Sequence, residues 1–152
     1  MVRALLALAL IAAGPCSADS STGEAVASAT LVVHTSGGHQ ALTVQVADTP
    51  EARERGLMGR ERLDPYDGMA FVWDEPVNAS FWMKDTLIPL SIAFWDAGSR
   101  VVAIFDMDPC TADPCPTYDP GIAILGAVEV EQGALDRRGV AVGDEVELAL
   151  PA

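Results

Sequence analysis

The sequence predicts a mainly β fold, a single-domain β-sandwich or partly closed barrel of about eight or nine short strands with two short helices. Three observations lead to this fold class. From residue 30 onward, short apolar segments are separated by turn-forming residues at the spacing typical of strands. Several segments alternate apolar and polar residues, as a strand with one buried face does. Only two stretches carry the start and stop signals of a helix.

The first predicted element is a β-hairpin. Residues 30–34 (TLVVH) run into a Ser-Gly-Gly turn at 36–38, and residues 41–47 (ALTVQVA) alternate apolar and polar side chains after it. An alternation of this kind places the apolar side chains on one face of the strand. We therefore expect two antiparallel strands joined at the glycines.

The two predicted helices are short. Thr49 has the position of an N-cap, Pro50 suits the first helical position, and Gly56 and Gly59 end the first helix within about two turns. Residues 134–139 (ALDRRG) predict a second helix that Gly139 ends. Neither segment is long enough to form more than a cover over the strands.

The remaining apolar segments predict the other strands. The turn at residues 96–99 (DAGS) is expected to join two of them as a hairpin. The expected strands lie within residues 68–73, 77–83, 90–95, 100–107 and 121–131, and a closing hairpin over 140–150 turns around Gly143 and Asp144.

The N-terminus has the pattern of an export signal. Arg3 precedes ten apolar residues at 4–13, about half of what a helix needs to span a bilayer. We expect a signal peptide over residues 1–18, a flexible leader over 19–29 and one domain over 30–152. The predicted location is outside the cytoplasm, in the periplasm, the cell envelope or the medium, without a transmembrane span.

Two processing routes remain open around Cys16. Lipidation of this cysteine would give an N-terminal lipid tether, although Pro15 stands where a lipoprotein peptidase normally wants Gly, Ala or Ser. Cleavage after Ala18 is the alternative, because Cys16 and Ala18 place small residues at both recognition positions of the signal.

The net charge and the motifs of the chain limit the partners and cofactors that we expect. The formal net charge is -13 at pH 7, so the protein repels phosphate backbones and nucleic acid is a poor partner. No phosphate-binding glycine loop and no zinc-protease helix motif occurs in the sequence, and we expect neither a cofactor nor a metal. We expect a monomer.

The cysteines outside the predicted signal are Cys110 and Cys115. In an exported protein an even pair at this spacing predicts a disulfide. A zinc site is the alternative, but it needs four ligands, and the histidines, His34 and His39, lie far upstream.

The segment FWMKDT, residues 81–86, contains the only lysine of the chain. Strand alternation places Trp82 and Lys84 on the same face, so the indole ring can lie beside the ammonium group. Three interpretations remain open: the lysine pairs with an acid such as Asp85 to fix a turn, it binds an anion, or it transfers protons. The candidate ligand-binding residues are Met58, Arg60, Trp82, Lys84, Asp85 and Thr86.

The motifs RGLM, GM, FWMK and TLIPL, followed by CPTYDPG and VGDEV, resemble the family called domain of unknown function 192, over residues 42–148. The resemblance implies a β-rich fold that often follows an export signal, and it implies no established activity. Two positions depart from the family pattern. Asp85 stands where members mostly carry Asn, and Ser91 stands where they mostly carry Asp, which would alter a site that needs those side chains.

We expect a binding module for an anionic small molecule or an envelope component, with its pocket around Lys84. One alternative is a cell-envelope hydrolase that uses Lys84 and Asp85 as its proton-transfer pair. Another is a structural or assembly factor of the envelope, which needs no pocket and would expose an apolar patch.

Overall fold

The chain is described by a computed structural model over residues 27–149, in which it forms nine strands and two short helices. The prediction of a mainly β fold with two short helices is confirmed. The elements are β1 Ser28–Thr35, β2 Gly38–Ala47, α1 Pro50–Arg55, β3 Gly68–Val77, β4 Phe81–Trp82, β5 Leu90–Trp95, β6 Val101–Met107, β7 Thr117–Tyr118, β8 Ile124–Glu131, α2 Ala134–Arg137 and β9 Glu145–Ala149.

Seven strands form one sheet in the order β6-β5-β8-β3-β2-β1-β9, and β4 pairs with β7 in a second, small sheet. All pairs are antiparallel except β2 with β3, whose parallel pairing needs the crossover that contains α1. The two edge strands of the large sheet approach each other, with a single bridge between Arg100 and Glu145. One bridge does not make a ladder, so the sheet is not closed into a barrel, and the architecture is consistent with a β-sandwich.

The sequence signals around α1 act as predicted. The Thr49 hydroxyl accepts a hydrogen bond from the Ala52 amide at 3.1 Å, and Pro50 opens the helix. Gly56 then takes a positive φ of 45°, a region that glycine enters at little cost. The second helix ends in the same way, with Gly139 at φ 69°.

The large sheet carries apolar side chains on both faces. Alternate residues of the central strands belong to two different clusters, so that β5 is buried over its whole length. The first cluster contains Leu31, Leu42, Val44, Ala70, Ala93, Trp95, Val128 and Val130. The second contains Met69, Phe71, Met83, Leu90, Ile92, Phe94, Met107 and Ala127.

The small sheet lies over the second cluster. Phe81 of β4 packs edge-on against Phe71 and Phe94, with ring centroids 5.0 and 5.4 Å apart. The loop before β7 is closed by a disulfide between Cys110 and Cys115, as predicted. Because β7 pairs with β4, this loop also supports the strand that begins FWMKDT.

One predicted element does not form. The sequence suggested a closing hairpin over residues 140–150, but of its described residues only 145–149 are a strand, and that strand pairs with β1. Two segments also differ in length, since β3 extends to Val77 and β4 covers only two residues. Residues 1–26, with the predicted signal, most of the predicted leader and Cys16, lie outside the described part of the chain. Within residues 27–149, no helix is long and apolar enough to cross a membrane.

Candidate functional site

The FWMKDT segment ends its strand and enters a tight turn. The Thr86 amide donates a hydrogen bond to the Met83 carbonyl at 3.2 Å, and the Thr86 hydroxyl donates to the Lys84 carbonyl at 3.3 Å. Met83 is buried in the second apolar cluster, whereas Trp82 is 49% exposed. The alternation predicted for this segment therefore sends Trp82 outward and Met83 inward.

Asp85 has a structural role in this turn. Its φ of 55° lies in the left-handed region, where Asp and Asn are tolerated better than most other side chains. Its carbonyl accepts a hydrogen bond from the Gly59 amide at 2.9 Å, so Met58 and Arg60 lie on a loop that is fastened to the turn. The Asn that the family resemblance leads one to expect here would suit the same backbone conformation.

Lys84 lies above the Trp82 ring. Its Nζ atom is 5.5 Å from the ring centroid, within the range of a cation–π contact. Among the ion pairs of residues 27–149, none involves Lys84, and Asp85 does not pair with it. In the described part of the chain the ammonium group thus has no carboxylate partner.

A small cavity of about 40 Å³ lies next to this turn. It brings together three of the predicted residues, Met58, Trp82 and Thr86. Lys84, Asp85 and Arg60 do not line it. The lining residues are Arg53, Glu54, Arg55, Gly56, Leu57, Met58, Phe71, Phe81, Trp82, Thr86 and Glu129.

Glu129 is the most unusual residue of the cavity, and no pattern in the sequence pointed to it. Glu129 is only 5% exposed, because β8 lies between β3 and β5, with Met69 and Ile92 opposite it. Among the described residues, no basic group forms an ion pair with its carboxyl. Burial raises the pKa of Glu129 to about 8, so the group is largely protonated at neutral pH.

Arg53 lines the same cavity but is engaged elsewhere. Its Nη1 atom donates to the carbonyls of Asp48 at 2.7 Å and Val72 at 2.8 Å. Its guanidinium group lies over the Trp73 ring, 5.0 Å from the centroid. The arginine therefore fastens α1 to β3, and within residues 27–149 it forms no ion pair with Glu129.

Ser91, the second departure from the family pattern, is buried and fully bonded. Its hydroxyl donates to the Asp106 carboxylate on the neighbouring strand and accepts from the Gly133 amide at 2.8 Å. These bonds join β5 and β6 to the turn before α2. Ser91 does not line the small cavity.

A large cleft of about 500 Å³ lies elsewhere, between α2 and the loop that precedes β3. None of the predicted site residues lines it. Two of its three arginines pair with carboxylates, with Arg138 3.1 Å from Asp67 and Arg137 3.6 Å from Glu131. The lining residues are Leu42, Glu61, Arg62, Leu63, Asp64, Tyr66, Asp67, Ile88, Pro89, Val130, Glu131, Ala134, Arg137 and Arg138.

Comparison with known proteins gives a family and a fold. The model of DUF192, a family described as uncharacterized ACR, matches residues 32–148. None of the curated proteins matches the chain.

The solved structures that match this chain include two crystal structures. A proposed transcription regulator from Sinorhizobium meliloti 1021 is 30% identical with a TM-score of 0.74, and the match covers 81% of this chain and 95% of the other. A protein of unknown function from Novosphingobium aromaticivorans DSM 12444 is also 30% identical, with a TM-score of 0.71 and coverages of 78% and 83%. These matches support the β fold and carry no activity that is common to both.

Proposed function

The chain belongs to the DUF192 family, whose description names no activity, and we propose that it binds a small molecule through an anionic group that contacts Lys84. The observation that carries this proposal is the ammonium group of Lys84, which forms no ion pair within residues 27–149 and lies above the half-exposed ring of Trp82. The ligand class is a carboxylate or phosphate compound outside the cytoplasm, in keeping with the predicted export signal.

The surroundings of Lys84 support binding of an anion. A lysine that is already paired with a carboxylate would lose that contact on binding, whereas Lys84 has no such contact to lose within residues 27–149. The Trp82 ring offers a flat apolar surface for the body of the ligand. Arg60 adds a second cation on the loop fastened to the same turn by the bond between Gly59 and Asp85.

The other functions have less support. A hydrolase with Lys84 and Asp85 as its proton-transfer pair would need the two groups within reach of each other, and they form no ion pair. The similar structure described as a transcription regulator suggests a role in binding DNA. The formal charge of -13 opposes direct contact of this chain with a phosphate backbone.

A structural or assembly role is the second candidate. Trp82 and Leu87 expose much of their apolar surface near the same turn, as a contact surface would. We place it second because it gives no reason for a lysine over the indole ring that pairs with no carboxylate in the described part of the chain.

The test is a titration with acetate and with inorganic phosphate, followed by NMR of the Trp82 indole N–H. We expect a saturable shift in the wild type and at least a tenfold weaker affinity in Lys84→Met. The matched control is Arg137→Met, which removes one cation from the large cleft and leaves Lys84 in place. Equal affinity in wild type and Lys84→Met, or no saturable shift with either anion, contradicts the proposal.

A further inference from the structure

We propose that the Glu129 carboxyl donates a hydrogen bond, from the floor of the small cavity, to a carboxylate oxygen of the ligand. The inference rests on the proposed function and narrows its ligand class from anions in general to carboxylates. It assigns a role to a residue that the Lys84 hypothesis does not use.

The position of Trp82 connects the two groups. Its ring lies beneath Lys84 Nζ and also lines the small cavity, whose lining includes Glu129. A ligand that rests on this ring can therefore present one oxygen to the ammonium group and another to the cavity. Thr86 closes the cavity beside Trp82.

The size of the cavity selects the group that enters. Its volume of about 40 Å³ leaves room for a group of the size of a water molecule or somewhat more. A single oxygen of a flat carboxylate fits such a space. A tetrahedral phosphate, with oxygens on all sides of the phosphorus, does not enter it to the same depth.

Glu129 has the properties of a donor rather than of a repelling charge. The charged residues that line the cavity with it are Arg53, Glu54 and Arg55, all on α1. Arg53 donates to backbone carbonyls, and Glu54 and Arg55 are exposed to solvent. β3 and β5, on either side of β8, place Met69 and Ile92 opposite Glu129 and no charge.

A protonated carboxyl that faces a carboxylate forms a charge-assisted O–H···O⁻ hydrogen bond, which is stronger than a neutral one. Burial raises the pKa of Glu129 to about 8, so the proton is present at neutral pH. Above that pH the group ionises, loses its donor and repels the ligand. Affinity for a carboxylate should therefore fall by roughly tenfold per pH unit above pH 8.

The experiment is an acetate titration of wild type, Glu129→Gln and Lys84→Met at pH 6.5 and 9.0, followed by the Trp82 indole N–H. We expect the wild type to lose roughly tenfold in affinity at the higher pH, and Glu129→Gln, which keeps a donor that cannot ionise, to lose much less. Lys84 is present in both proteins, so any pH dependence that it causes is common to them. Phosphate, as the comparison anion, should bind more weakly than acetate at pH 6.5.

The outcomes separate the two proposals. Acetate binding that depends on Lys84 but has the same pH dependence in wild type and Glu129→Gln overturns the role of Glu129 and leaves the proposed function intact. Tighter binding of phosphate than of acetate overturns the carboxylate class. If neither acetate nor phosphate binds, both proposals are wrong.

A second measurement needs no ligand and guards against a variant that fails to fold. In wild-type protein with ¹³C-labelled glutamate, one side-chain carboxyl should titrate near pH 8. If all glutamate carboxyls titrate near 4.5, the inference is wrong.

Discussion

The small cavity and the large cleft differ in size and in how well their charges are matched. The cleft holds about 500 Å³ and the cavity about 40 Å³. In the cleft, Arg137 and Arg138 each face a carboxylate, with side chains that water still reaches. Beside the cavity, Lys84 and the buried Glu129 each lack an oppositely charged partner among residues 27–149.

Volume alone therefore does not identify a site in this molecule. An ion pair at a solvated surface contributes only about 0 to 1 kcal/mol to the free energy of unfolding. A buried carboxyl without a partner costs free energy in its charged form, and proteins retain such groups mostly where chemistry needs them. Glu129 is such a group and lines the small cavity, so changes at the cavity should have larger effects than changes at the cleft.

The largest effect should come from Glu129→Gln. The pKa of Glu129 in the folded state, about 8, lies above its unfolded value near 4.5, so between these values the folded state keeps a proton that the unfolded state releases. The free energy of unfolding of the wild type should fall as pH rises from about 5 to 8, by an amount on the order of a few kcal/mol. In Glu129→Gln this part of the decrease should vanish, as urea unfolding at pH 5, 6.5 and 8 would measure.

The control for this prediction lies two residues away. Glu131 is exposed on the same strand and pairs with Arg137 in the large cleft, so Glu131→Gln should keep the wild-type pH dependence. Parallel stability curves for wild type and Glu129→Gln would mean that Glu129 is already ionised in the folded protein. The distinction between cavity and cleft would then lose its main support.

The next effect concerns the cover of the cavity. The Cys110–Cys115 disulfide closes the loop before β7, and β7 pairs with β4, which carries Trp82. Replacing both cysteines with Ser should lower the free energy of unfolding by roughly 2 kcal/mol on the chain-entropy estimate. The Trp82 indole resonance should shift, while the Ala134 amide in the large cleft should not.

Wild-type protein treated with a reductant is the control, because it should match the double variant in stability and in both resonances. Equal shifts at Trp82 and Ala134 would indicate that the loop supports the whole domain rather than the cavity. An unchanged free energy of unfolding would show that the loop is held by its other contacts.

The fold could be predicted from the sequence because its signals are local. Thr49, Pro50 and Gly56 specify α1 within one short segment, and the alternation of Trp82 with Met83 decides which side chain is exposed. The failed hairpin over residues 140–150 has a non-local cause. Its second arm pairs with β1, more than a hundred residues away in sequence, and no local pattern encodes that choice.

The site could be predicted only in part, for the same reason. The lone lysine pointed to the turn beside the small cavity, and Met58, Trp82 and Thr86 line that cavity. Glu129 could not be predicted, because an acid between two valines is as compatible with an exposed position on an edge strand as with a buried one. Only the pairing of β8 with both β3 and β5, which the sequence does not specify locally, buries its carboxyl.

The smallest effect should come from Arg138→Met in the large cleft. Arg138 and Asp67 lie 3.1 Å apart, and their side chains are 33% and 37% exposed, so water screens the pair. Asp67 also keeps its hydrogen bond from the Thr43 amide, at 2.8 Å, when the arginine is removed. We expect a loss below about 1 kcal/mol in urea unfolding and an unchanged affinity for acetate at Trp82.

A loss of several kcal/mol would assign the cleft a structural role that its solvated charges do not indicate, and a weaker affinity for acetate would mean that the two regions are coupled. Either result would make the paired charges of the large cleft part of the site. The distinction between cavity and cleft holds only if these pairs contribute little to stability and nothing to acetate binding.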